Sequence, residues 1–117
     1  MKLMIALLLA ASAGSAFAVD CKNAVATPDI NECAAVEQKK TEDKLNLVYQ
    51  QVIKSITDAE TKKALIEAQR AWVKFREADC KAIYTQYKTG TARTVMYIGC
   101  MQGHAETRIK DLEDFRM

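Results

Sequence analysis

Apolar positions recur at helical spacing along almost the whole chain beyond residue 26, and they fall into three runs. In the first, Leu45, Val48, Tyr49, Val52 and Ile56 share one face at about 100° per residue. The second places Leu65, Ala68, Gln69, Trp72, Arg76, Asp79 and Ile83 on one stripe. The third turns Val95, Ile98, Gln102, Ala105, Ile109 and Leu112 inward. With one Pro and four Gly and no period-two alternation, the pattern predicts an all-α fold. We read it as a small antiparallel three-helix bundle or hairpin stapled by two disulfides.

Local signals set the expected boundaries. Thr27 is placed as a cap, Pro28 suits the first helical position, and Asp29 complements the positive end of the dipole. That helix runs to about Ile56, its early part half exposed because Glu37 to Lys44 is strongly polar. Thr57 and Glu60 have capping-box spacing and open a second helix that reaches about Tyr87. After the polar loop Lys88-Thr89-Gly90-Thr91, the third helix extends from about Ala92 to Phe115. Gly99 and Gly103 weaken it by up to ~1 kcal/mol each relative to Ala, so a close helix contact or a bend is expected there.

The second stripe is unusual because its Trp is accompanied by a Gln, an Arg and an Asp. A cation on a core face must be matched by a carboxylate or by other acceptors. The first helix offers Glu42 and Tyr49 near its apolar face and Asn46 at the edge. A hairpin turning near residue 58 would set Glu42 beside Lys74 and Arg76, and Asn46 beside Gln69 and Arg70. The expectation is a structural polar core of Glu42, Asn46, Tyr49, Gln69, Trp72, Arg76 and Asp79. In it Arg76 pairs with Glu42 or Asp79, and Gln69 bonds to Asn46, setting register more than stability.

The ends and the cysteines change the setting. Lys2, the apolar run Leu3 to Ala11 and Ala16-Phe17-Ala18 read as a cleaved signal peptide over 1–18, leaving a single domain over 19–117. The apolar run is too short for a membrane span, and Val19-Asp20 before Cys21 does not suit a lipid anchor. Cys21, Cys33, Cys80 and Cys100 all lie in the exported part, where two disulfides are the default. Cys21–Cys33 with Cys80–Cys100 is favoured because each closes a short loop; Cys33–Cys80 stays open, since the hairpin brings those positions together. The location implied is periplasmic or secreted.

Composition narrows the chemistry. A formal net charge of +2, with no basic stripe bearing interleaved aromatics, argues against nucleic acid. No CxxC pair occurs, and His104 has no partner at zinc-finger spacing, so neither a metal nor a cofactor is expected. One His and no nucleophile–base constellation make an enzyme the least favoured reading.

Four groups of residues carry a resemblance: Cys21 with Thr27, Asn31 and Cys33; Glu42-x-x-Leu45-Asn46-x-x-Tyr49; Ala68-Gln69-Arg70-Ala71-Trp72 with Arg76 and Cys80; and Cys100 with Arg108-Ile109-x-x-Leu112. On these the chain resembles the LprI-like lysozyme-inhibitor family, small exported helical proteins of bacteria. It departs from the pattern in having Glu at 42 where Asp is common, Ala at 105 where Thr is common, and a loop before the third helix with less Gly and Ser. The resemblance implies a binding protein that occupies the cleft of a lysozyme or another peptidoglycan hydrolase. The loop from Tyr87 to Arg93 is then the candidate contact, with Lys88 and Arg93 meeting carboxylates and Tyr87 filling a sugar subsite. The alternative is an immunity or adaptor protein for another cell-wall-directed toxin or envelope partner.

Overall fold

The computed structural model describes residues 19–115, so the signal-peptide reading of 1–18 lies outside the described residues. Three helices follow one another: α1 Thr27–Ser55, α2 Ala59–Gln86 and α3 Arg93–Phe115. Each is long because its sequence keeps a helical period without an internal Pro, and the only Pro sits in the first turn of α1, where a missing N–H costs nothing.

Two caps differ from expectation by one residue. Ala26, not Thr27, is the N-cap of α1, and it contributes no side-chain bond. The Ile30 amide already donates to the Ala26 carbonyl at 3.0 Å, so Thr27 lies inside the helix. At α2 the cap is Asp58, whose carboxylate accepts the Thr61 amide at 2.7 Å. Asp58 and Thr61 therefore do what Thr57 and Glu60 were expected to do. A carboxylate is a better acceptor than a hydroxyl beside the positive helix end.

The core is formed by Leu45, Val48 and Val52 of α1, Leu65 of α2, and Ala105, Ile109 and Leu112 of α3. Tyr49, Ile53, Ile56 and Trp72 pack around it, partly buried. Burying a side chain such as Val52 or Leu112 contributes roughly 1.5–3 kcal/mol. An exposed pair such as Lys39–Asp43 contributes about 0–1 kcal/mol, so the apolar seam holds α1 and its surface ion pairs do not.

The arrangement of the seam is a correction. The expected α1–α2 interface is sparse; α3 packs against both α1 and α2 and joins them. As α2 is followed back from Cys80 through Arg76 to Gln69, its partners on α3 advance from Cys100 through Met101 to Arg108. The apolar face of α3 is the most continuous of the three, with Ile98, Ala105, Ile109 and Leu112 all buried, so both other helices cover it. Val95 and Gln102, also expected inside, are only half-buried.

The glycines of α3 likewise depart from the expected close contact. A Cβ at Gly99 or at Gly103 would have no neighbouring atom within 4 Å, both residues are exposed, and α3 runs through them unbroken.

Both favoured disulfides form. Cys21–Cys33 ties the segment before α1 to its second turn, with Cα atoms 5.7 Å apart. Cys80–Cys100 joins α2 to α3 with Cα atoms 5.6 Å apart. The Cys33–Cys80 alternative is thereby excluded.

Candidate functional site

The polar residues of α2 are the starting point, since they position what lies at the helix ends. Arg76 is 5% exposed, one turn below the fully buried Cys80. Its two terminal nitrogens donate to the two Glu42 carboxylate oxygens, one at 3.1 Å, and its Nε donates to the Met101 carbonyl at 3.0 Å. A guanidinium is suited to this because its planar fork meets a carboxylate with two donors and keeps a third for another acceptor. Arg76 thereby links all three helices. Its guanidinium carbon also stands 5.2 Å from the centroid of the Trp72 ring.

The rest of the expected polar core is distributed differently. Gln69 accepts a hydrogen bond from Arg108 Nε of α3 at 2.8 Å, not from Asn46, which is exposed. The register estimate brought Glu42 to Arg76 correctly, yet α3 intervenes where Asn46 was to meet Gln69. Trp72 is half-buried, its ring approached by Arg76 and, at 6.0 Å, by Arg108. Tyr49 packs on the edge of the apolar core. Asp79 is exposed and does not pair with Arg76; it faces His104 of α3, with Oδ2 2.6 Å from Nε2. The physical reason is the helical period: with Arg76 facing inward, the position four residues on is Cys80, and Asp79 is rotated toward solvent.

The loop between α2 and α3 is a chain of turns. Tyr87, the C-cap of α2, donates its amide to the Ile83 carbonyl at 3.2 Å. Lys88 N–H reaches Thr85 O at 3.2 Å, and Gly90 N–H reaches Tyr87 O at 3.3 Å. Arg93, the first residue of α3, is drawn back over the loop: its guanidinium lies 3.6 Å from the centroid of the Tyr84 ring and its Nε donates to Tyr84 O at 3.1 Å. Tyr84 in turn meets Tyr97 edge to face, with centroids 5.6 Å apart. Arg93 is thus a brace within the loop. Of the three expected contact residues only Lys88 is exposed; Tyr87 and Arg93 are half-buried. Thr89, Gly90 and Thr91 complete the exposed tip.

Tyr84 and Tyr97 escaped the sequence reading, because their joint role depends on the chain reversing between them. Arg108 stood in a recognised block of residues, but its partner could not be named from spacing. The Cys80–Cys100 bond lies behind the loop and closes its base, while Asp79 and His104 flank that bond. Phe75 covers the His104 ring edge to face at 5.4 Å.

The chain is 27% identical over 107 residues to an uncharacterized protein of Rhizobium meliloti (strain 1021), covering 81% of this chain and 77% of that one. No solved structure matches. The family model described as lysozyme inhibitor LprI matches residues 20–112, which include both disulfides, the Arg76–Glu42 link and the 87–93 loop. The chain belongs to the LprI lysozyme inhibitor family.

Proposed function

We propose that this chain is an exported, non-enzymatic binding protein that inhibits a lysozyme by presenting the loop between α2 and α3 to the enzyme's cleft. The observation that carries the reading is a short exposed tip, Lys88 to Thr91, held on a braced base. On one side the Arg93–Tyr84 stack closes it, and beneath it Cys80–Cys100 fixes the distance between the helices. A rigid tip loses little conformational entropy on binding, which is what a segment entering a preformed cleft requires. Lys88 brings a cation toward the pair of carboxylates that glycoside hydrolysis uses. The near-neutral chain as a whole supplies no strong field, so recognition rests on local fit.

Family membership supports the target class, and the two disulfides support a periplasmic or secreted location. Among the described residues no helix is long and apolar enough to cross a membrane. The test is the rate at which c-type and g-type lysozymes clear bacterial cell-wall suspensions in the presence of the purified protein. Wild-type protein slows clearing, and Lys88→Glu weakens the inhibition at least tenfold at an unchanged melting temperature. Absence of inhibition at micromolar excess would reject the lysozyme target and leave the immunity or adaptor reading. Equal inhibition by Lys88→Glu would move the contact away from the loop.

A further inference from the structure

The α2–α3 staple contains more than two sulfurs. A ligand atom from each of Cys80, Cys100 and His104 lies within 4.8 Å of the other two. Cys100 and His104 are four residues apart on α3 and so project from one face, toward Cys80 on α2. The residue before Cys80 is Asp79, whose carboxylate oxygen lies 2.6 Å from His104 Nε2. In the disulfide form the sulfurs are bonded to each other and cannot serve as thiolate ligands.

We propose that reduction of Cys80–Cys100 converts this staple into a site for a zinc-class divalent cation, with Cys80, Cys100 and His104 as ligands and Asp79 as the group that positions His104. A dithiol reductant supplies two electrons and two protons, leaves as its own cyclic disulfide, and produces two thiols. The cation then replaces the two thiol protons and binds the thiolates together with the imidazole.

Three features fit. The donor set, two sulfurs and one nitrogen, is the one that zinc prefers, and a three-residue set leaves the fourth position to water. Tetrahedral zinc holds such donors about 3.6–3.8 Å apart, as follows from Zn–S of about 2.3 Å and Zn–N of about 2.0–2.1 Å. Rotation about the Cα–Cβ bonds separates the freed sulfurs to that distance. The third feature is Asp79. Its carboxylate oxygen stands 2.6 Å from His104 Nε2, and an imidazole oriented by a carboxylate is the usual support of a metal-bound histidine. The same helices are then crosslinked in either state, by a disulfide when oxidised and by the cation when reduced. This inference does not depend on the lysozyme-inhibitor reading.

Titration of the purified protein with cobalt(II) under argon, after reduction with excess dithiol and its removal by gel filtration, tests the site. The expected result is one cobalt per chain with the visible bands of a tetrahedral ion and thiolate-to-cobalt charge transfer, displaced by zinc. The oxidised protein gives none. His104→Gln weakens binding at least tenfold and shifts the spectrum, Asp79→Asn weakens it by about 10–100-fold, and Cys21→Ser with Cys33→Ser leaves stoichiometry intact. Circular dichroism of each sample follows folding: zinc retains or restores the helical signal of the reduced chain. The site is rejected if reduced wild type shows no tetrahedral spectrum, if His104→Gln leaves the spectrum unchanged, or if the signal follows Cys21 and Cys33. It is equally rejected if reduction melts the helices and zinc fails to restore them.

Discussion

Arg76 and Glu42, 34 residues apart, meet fork to fork between α2 and α1, and the same guanidinium holds the Met101 carbonyl of α3. The Glu42 side chain keeps 28% of its exposure while Arg76 keeps 6%, so the pair is sealed from the arginine side and reached by water from the carboxylate side. A hydrophobic replacement for Arg76 would leave the Glu42 carboxylate of α1 without its donor and remove the extra bond to the mid-helix Met101 carbonyl of α3. That asymmetry decides the outcome of substitution more than the attraction between the charges does.

Arg76→Ala is therefore expected to cost about 1–3 kcal/mol, less than the loss of a partner in a fully buried pair, because water reaches the Glu42 carboxylate left behind. Arg76→Lys restores the charge but not the fork, and its loss should lie between that of Arg76→Ala and zero. Urea unfolding of the single variants and of Arg76→Ala with Glu42→Ala gives the coupling directly. A coupling energy near zero would show that the two side chains merely coincide in space.

The glycines of α3 predict a gain. Neither Gly99 nor Gly103 has space-limiting neighbours, and neither has the positive φ that favours glycine. Replacing each with Ala should stabilise the helix by up to ~1 kcal/mol. Thermal melts of the two single variants check this, and a loss in either would mean that the exposed α3 face is needed bare.

The two disulfides should differ in cost although their loops are similar. Chain entropy alone assigns about 3 kcal/mol to each. Cys21 is exposed, whereas Cys80 is fully buried, so Ser at 80 also places a hydroxyl in the interior. Cys80→Ser with Cys100→Ser should exceed Cys21→Ser with Cys33→Ser by about 1–3 kcal/mol. Denaturant midpoints of the two double variants measure the difference. On partial reduction, mass mapping should find Cys21–Cys33 opened first.

The α2 cap makes stability depend on pH. The Thr61 side chain and then its backbone amide hold the Asp58 carboxyl below the usual carboxylate range. An unfolded aspartate titrates near about 3.9, so the cap contributes in full above that value. Its contribution fades as pH falls through the lower folded value. Melting temperatures of wild type and Asp58→Ala should thus be separated at neutral pH and converge in acid. A constant separation would mean that the protonated side chain caps equally well.

Much of this molecule is written in local order. The helical period of apolar residues, one Pro near the start of α1 and a polar break near residue 88 are enough for three helices, because each depends on neighbours within a few positions. Cysteine spacing favours both disulfides but leaves Cys33–Cys80 open, and a hairpin register offers Arg76 either Glu42 or Asp79; the packed structure selects Cys21–Cys33, Cys80–Cys100 and Arg76–Glu42. Other features needed the packed chain. That α3 lies against both other helices follows from competition among three apolar faces for one another, which no single helix encodes. The partners of Gln69, Asp79 and Arg93 depend on rotations of a few tens of degrees about helix axes, and spacing along one chain does not define them. The cluster of Cys80, Cys100 and His104 exists for the same reason: two of its members share a helix face, and the third arrives only when α2 docks on α3.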